Sequence, residues 1–144
     1  MSKVKISMDD MKLIASFERI TGASAVDVVK DEDSDRIIFV VPSKQLGRAI
    51  GKGGSNVKAA AKQFGQPVDI VEMADTPKEF ISSALAPARV KEVNISEHKN
   101  GDKVAHVSVE EDDRGIAIGK DGRNVARARI LVRRHFDVDN VVIE

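Results

Sequence analysis

Apolar residues along this chain follow a helical period, then a strand period, then a helical period again, and the whole cycle occurs twice. Ser7 with Asp10 three residues on gives a helix-start pattern, after which Leu13, Phe17 and Ile20 recur at helical spacing until Gly22 offers a stop. Val26 and Val28 alternate with polar neighbours, a polar turn at 31–34 follows, and 36–41 is rich in β-branched residues before Pro42. This predicts a hairpin of two strands. Residues 44–50 then predict a short helix, broken by the glycines of 51–54. Val57, Ala60, Ala61 and Phe64 set the apolar stripe of a longer helix, and 67–72 closes the half as a strand.

The second half repeats this order. Thr76 as N-cap, Pro77 at the first helical position and Glu79 three residues after the cap predict a helix that ends before Pro87. Strands are predicted at 89–97 and 103–110, joined through Asn100-Gly101. Residues 114–118 predict the short helix, Lys120-Asp121 the turn, 124–136 the long helix with Val125, Ala128 and Val132 inward, and 138–143 the last strand. Phe17, Phe39, Phe64, Phe80 and Phe136 are all expected in cores. The prediction is therefore an α+β chain of two domains, 1–74 and 75–144. No flexible linker separates them, so the halves are expected to pack together.

The repeat is visible in the residues themselves. Gly47-Arg48-Ala49-Ile50-Gly51-Lys52-Gly53-Gly54-Ser55-Asn56-Val57 returns 68 residues later as Gly115-Ile116-Ala117-Ile118-Gly119-Lys120-Asp121-Gly122-Arg123-Asn124-Val125, with eight of eleven positions identical. Glycines remove the Cβ that keeps a ligand from the backbone, and a helix start presents unsatisfied N–H groups and a positive dipole end. Such a turn suits an anion, and Lys52 and Lys120 each add a mobile charge.

Charge sharpens that reading. The formal net charge is zero, but residues 43–66 carry Lys44, Arg48, Lys52, Lys58 and Lys62 with no acid, and 112–136 carry seven Lys or Arg against Asp112, Asp113 and Asp121. The cations gather around both repeated turns, as a nucleic-acid partner requires. A solvated helix face is the competing explanation for such runs. With no Trp or Tyr and five Phe, the aromatic stacking platforms on which some nucleic-acid-binding folds hold bases are not available.

Other chemistry finds little support. A chain without cysteine has no disulfide or thiolate metal site, and the longest apolar run, 37–41, is too short for a membrane span. An NTPase phosphate loop needs four residues before its Gly-Lys-Ser/Thr, whereas Gly47 to Gly51 encloses three and Gly53 follows Lys52. His98, His106 and His135 share no metal-ligand spacing, and the acids of 31–35 read as a solvated turn. No catalysis, cofactor or metal is expected, and the chain is read as soluble, cytoplasmic and monomeric.

The turns Gly51-Lys52-Gly53-Gly54 and Gly119-Lys120-Asp121-Gly122, each between a short and a longer helix, resemble the Gly-x-x-Gly loop of K-homology (KH) domains. The helix-first order of each half resembles the prokaryotic, type II variant, and two tandem copies filling a short chain resemble the archaeal NusA-like transcription elongation and termination factors. That resemblance implies single-stranded nascent RNA as partner, held by the loops at its sugar-phosphate backbone while an adjoining groove receives bases. RNA polymerase or other transcription factors would be further partners. The implied RNA-binding residues are Arg48, Ile50, Gly51, Lys52, Gly53, Gly54 and Lys58 in the first copy. In the second they are Arg114, Ile118, Gly119, Lys120, Asp121, Gly122, Arg123 and Arg127. Ile50 and Ile118 would line the grooves, with core packing as their alternative. Asp121 sets a carboxylate beside the phosphate path, so the first loop is expected to clamp more strongly, while Arg123, Arg127 and Arg134 on one stripe and Arg129 and Arg133 on a flank give the second copy a broader basic face. A ribosome-associated or RNA-processing KH protein, or a KH-shaped protein scaffold with little RNA affinity, are the alternative roles.

Overall fold

The computed structural model describes residues 4–144, which form two compact units, Lys5–Met73 and Ala74–Glu144, the latter joined by Val4. In the first, helix α1 (Met8–Thr21) is followed by β1 (Asp27–Asp31), β2 (Arg36–Val41), α2 (Leu46–Ile50), α3 (Ser55–Phe64) and β3 (Val68–Glu72). The second repeats the order with α4 (Pro77–Leu85), β4 (Val90–Glu97), β5 (Lys103–Val109), α5 (Arg114–Ile118), α6 (Arg123–Phe136) and β6 (Asn140–Ile143).

Local chemistry sets these limits. The Ser7 hydroxyl accepts from the Asp10 amide and Gly22, at φ 75°, closes α1 by donating to the Glu18 carbonyl. Thr76 caps α4 by accepting from the Glu79 amide. The first short helix starts at Leu46 instead of residue 44, because Lys44 has a left-handed φ of 74° and breaks the helical path.

Each unit has a three-stranded sheet with its second strand central. β1 runs antiparallel to β2 and β3 parallel to it, with Ile37 opposite Val68; β4, β5 and β6 repeat this, with Ala105 opposite Val141. In the first unit Phe17 stacks on Phe39 at 4.1 Å between centroids, among Val28, Ile37, Val41, Ala49 and Ala60. Phe64 lies at the rim of this core. In the second unit Phe80, Ile81, Leu85, Val107, Ala117, Ala128, Leu131, Val132 and Val141 are buried. Val125 and Phe136 are only partly buried, whereas Leu131 and His135, which the apolar stripe did not include, are inside, His135 edge-on to Phe80.

One expectation needs correction. The acids of 31–35 are not all a solvated turn: Asp31 ends β1, is buried, and accepts from Arg36 Nε at 2.8 Å. Arg36, 2 % exposed, also donates through Nη1 to Asp69 at 2.8 Å, so one buried guanidinium ties all three strands of the first sheet. Burial of the charge is met by pairing, as it has to be.

Candidate nucleic-acid interface

In both units the chain leaves the short helix through a glycine, makes a tight turn closed by the Gly54 amide donating to the Gly51 carbonyl and the Gly122 amide to the Gly119 carbonyl, and enters the long helix. Gly51 (φ 77°, ψ 167°) and Gly119 (φ 78°, ψ 170°) hold the same conformation, one that side-chain-bearing residues avoid. Space forbids a side chain there as well. A Cβ on Gly51 would stand 2.8 Å from both the Cγ and the backbone N of Asn56, and one on Gly119 2.8 Å from Asn124 Cγ and 2.9 Å from its N.

The two asparagines explain this crowding. Asn56 Nδ2 donates to the Arg48 carbonyl at 2.8 Å and to the Thr21 carbonyl at 3.2 Å, and Asn124 Nδ2 donates to the Ile116 carbonyl at 2.7 Å. Each side chain reaches back eight residues, across the turn, and fixes the angle between the short and long helices. These latches were not among the expected site residues. Their one signal in the sequence is identity between the copies, which by itself does not tell a latch from a ligand contact.

The turns expose their remaining positions. Lys52, Gly53, Lys120 and Asp121 are exposed, and Gly53 and Asp121 share a left-handed backbone, φ 64° and 56°. Gly54 and Gly122, also left-handed, lead into α3 and α6, and neither helix has a side-chain cap or an acidic residue in its first turn. α1 and α4, by contrast, are capped by hydroxyls. The helices behind the glycine turns therefore start with amides that no side chain satisfies, beside an exposed lysine, which is an arrangement for an anion. In the first unit Lys58 Nζ also lies 3.3 Å from the Gly53 carbonyl, bringing a second ammonium to the turn. The second unit has Ala126 at the matching place, 68 residues on.

The arginines of the second unit are placed less uniformly. Arg123 and Lys120 are exposed beside the turn. Arg127 instead donates through Nε and Nη2 to the Ala84 carbonyl at 3.1 and 2.9 Å, filling an acceptor that the last turn of α4 leaves open. Arg129 donates to Asn140 Oδ1 and the Val141 carbonyl, Arg133 to the Asp139 carbonyl, and Arg114 to the Ile143 carbonyl. Ile50 is 37 % exposed at the end of α2, next to the exposed Arg48, while its counterpart Ile118 is half-buried.

The residue just before each short helix has a further duty. Gln45 Oε1 accepts from the Ser24 amide at 2.7 Å, and Asp113 Oδ2, its counterpart, accepts from the Arg89 amide and Nε, both at 2.8 Å. Each ties the short helix to the approach of the first strand. The bond from the Arg89 side chain, then that from its amide, holds the Asp113 carboxyl below the usual range, and Asp113 in turn raises Arg89. Among the described residues no cluster of acids and histidines is placed to hold a metal ion, and no helix is long and apolar enough to cross a membrane.

Two helix-first α+β modules, each with a Gly-x-x-Gly turn between its last two helices, define a tandem KH protein of the type II order. The model of the NusA-like second KH domain matches twice, over residues 19–76 and 77–142. The probable transcription termination protein NusA of Halobacterium salinarum is 43 % identical over 96 % of this chain and 96 % of its own, and that of Methanocaldococcus jannaschii 32 % identical over 99 % and 76 %. A solved structure, the crystal structure of APE1850, superposes with a TM-score of 0.87 at 35 % identity, over 96 % of this chain and 100 % of that one. The chain belongs to the NusA-like KH family.

Proposed function

We propose that this protein is a transcription elongation and termination factor that binds single-stranded nascent RNA through its two glycine turns, acting in the cytoplasm by binding and not by catalysis. The observation that carries the reading is the repeated turn: exposed lysine, left-handed glycines and an uncapped helix start, held in the same shape by Asn56 and Asn124 in both units. Support for the transcriptional role comes from the relatives named above. Arg48, Ile50, Lys52, Lys58, Arg114, Ile118, Lys120 and Arg123 are the side chains we assign to the strand, around the backbone of Gly51, Gly53, Gly54, Gly119, Asp121 and Gly122. Arg127 contributes at the side of α6, with part of its hydrogen-bonding capacity already given to Ala84.

A KH turn grips sugar and phosphate, so affinity is expected to be largely electrostatic. Two turns in one chain make the second contact intramolecular, which raises the hold on a long transcript above that of either alone. If about three to five phosphates are neutralised, log Kd against log salt has a slope of magnitude about 2 to 3.5. Fluorescence anisotropy with a labelled single-stranded RNA over a salt series measures it. Lys52→Asp combined with Gly53→Asp should remove most of the affinity while circular dichroism stays native; unchanged binding by that variant would take the first turn out of the mechanism.

A further inference from the structure

The second module is extended at the end away from its glycine turn. Helix α6 has 14 residues and α3 has 10, so α6 carries an extra turn that begins at Arg133, where the first module has Gly65, whose φ of 69° closes α3. Strands β4 and β5 have 8 and 7 residues, against 5 and 6 in β1 and β2, so the hairpin tip is extended as well. β5 and β6 run parallel and begin where α6 ends, and a cleft of about 700 Å³ opens there between the hairpin tip and the helix.

Arg129 and Arg133, four residues apart and so neighbours on one face of α6, form a wall of this cleft. Arg129 donates through Nε to Asn140 Oδ1 at 2.6 Å and through Nη2 to the Val141 carbonyl at 3.1 Å, and Arg133 donates through Nη2 to the Asp139 carbonyl at 2.7 Å. All three acceptors are neutral, and among the described residues neither guanidinium takes part in an ion pair. The carboxylates that line the cleft serve the hairpin instead. Asp139 Oδ2 accepts from the Lys103 amide at 2.8 Å, and Asp102 Oδ2 accepts from Asn100 Nδ2 at 3.0 Å. A guanidinium has five N–H donors, of which Arg129 uses two and Arg133 one. Two oriented cations therefore keep donors in reserve and lack a counter-charge.

The first module does not repeat these parts. Ala61 and Gly65 stand where the two arginines stand, and Lys62, the cation in the last turn of α3, corresponds to Ile130. Its β1–β2 turn carries Glu32, Asp33 and Asp35, and Gln66 donates to Asp35 Oδ1 at 2.9 Å, so an acidic tip lies against the end of α3.

Resting on the RNA-binding reading above, we propose that the cleft between α6 and the β4–β5 tip seats a phosphate of the RNA strand beyond the nucleotides held at the second glycine turn. Arg133 lies ten residues along α6 from Arg123, about 15 Å down the axis at 1.5 Å per residue. A glycine turn clamps about four nucleotides, and a strand that continues down α6 meets the two arginines next. Guanidinium forks already fixed by neutral oxygens match the paired oxygens of a phosphate and have little ordering left to undergo. A protein partner would call for an apolar anchor, whereas Val104 is the one apolar side chain among the described residues that line the cleft.

The test measures the intact chain by fluorescence anisotropy with labelled single-stranded RNAs of four and twelve nucleotides. Arg129→Gln with Arg133→Gln should weaken the longer RNA about tenfold and lower its salt slope by about 0.7, the share of one phosphate, while the shorter RNA stays within about twofold of wild type. Lysine at both positions keeps the charge without the fork, and should keep the slope while losing part of the affinity. Arg123→Gln, beside the turn, should weaken both RNAs. If circular dichroism shows that Arg129→Gln disturbs the fold, Arg133→Gln alone, at an exposed position, should still weaken the longer RNA about threefold and spare the shorter. Equal loss for the two RNAs, or no loss for either, overturns the seat while leaving binding at the glycine turns standing. Loss of a glutamate-rich peptide with both RNAs unchanged overturns it too, and makes the cleft a protein contact. Failure of wild type to bind either RNA removes the parent reading and this one together.

Discussion

Replacing Gly51 by alanine tests the geometry of the turn most directly, because Gly53, two residues on, provides an internal control. Gly51 combines φ 77° with ψ 167°, and its Cβ would meet the Asn56 backbone N at 2.8 Å, a contact relieved only by moving the start of α3. Backbone conformations of that kind cost about 1–3 kcal/mol for a residue with a side chain, and shifting α3 adds to it, for a total of about 2–4 kcal/mol. Gly53 has φ 64° and open space around the Cβ position, so Gly53→Ala carries only the left-handed penalty, about 1 kcal/mol. A unit of this size has a stability of roughly 3–10 kcal/mol, so the first change consumes a large part of it. The chain has no Trp or Tyr, and amide hydrogen exchange is the suitable probe. Protection of the β2 amides should fall about 30- to 700-fold in Gly51→Ala and about fivefold in Gly53→Ala, at one tenfold step per 1.4 kcal/mol. β5 amides report whether the loss stays in the first unit. Truncating Asn56 to alanine should not rescue Gly51→Ala, because the clash with the main-chain nitrogen remains. Equal losses at the two glycines, or rescue by Asn56→Ala, would refute the argument that backbone crowding dictates the glycine.

Two further outcomes follow from buried charge. Arg36→Ala strands the Asp31 and Asp69 carboxylates, and removing one partner of a buried ion pair costs about 3–5 kcal/mol; with Asp69 partly exposed, the low end is expected, read as a lowered urea midpoint of the first unit. Asp113 has a folded pKa below its unfolded one, so its contribution is present above the unfolded value, about 3.9, and is lost as pH falls through the folded value. β5 exchange protection should therefore weaken below about pH 4, Asp113→Asn should weaken it at neutral pH and flatten the acid limb, and a limb unchanged in Asp113→Asn would refute that assignment.

Much of this architecture is legible in the residues. Ser7, Gly22 and Thr76 announce helix ends by local hydrogen bonds, alternation announces β1, a β-branched run β2, and Asn100-Gly101 the hairpin of β4 and β5, because these signals operate over a few residues. The glycine turns are legible for the same reason. What is not legible depends on distant partners. Arg36 meets Asp69 across 33 residues and Arg127 meets Ala84 across 43, so a charge pattern shows that guanidinium is present but not whether it faces solvent or a carbonyl. Asn56 likewise reads as one more polar residue in a helix start until the Arg48 carbonyl is seen in front of it.

Gly53 and Asp121 occupy the one place in each turn where the two copies part company without disturbing the frame. The backbone there is left-handed in both, yet the Cβ direction opens outward, so Asn or Asp is accommodated at modest cost while the flanking Gly51 and Gly119 admit nothing. Duplication has thus left this protein with a tuning position attached to a rigid turn that both copies share. Polarity at that single tip can drift, and with it the grip of one module, while the latch, the helices and the sheet behind it stay unchanged.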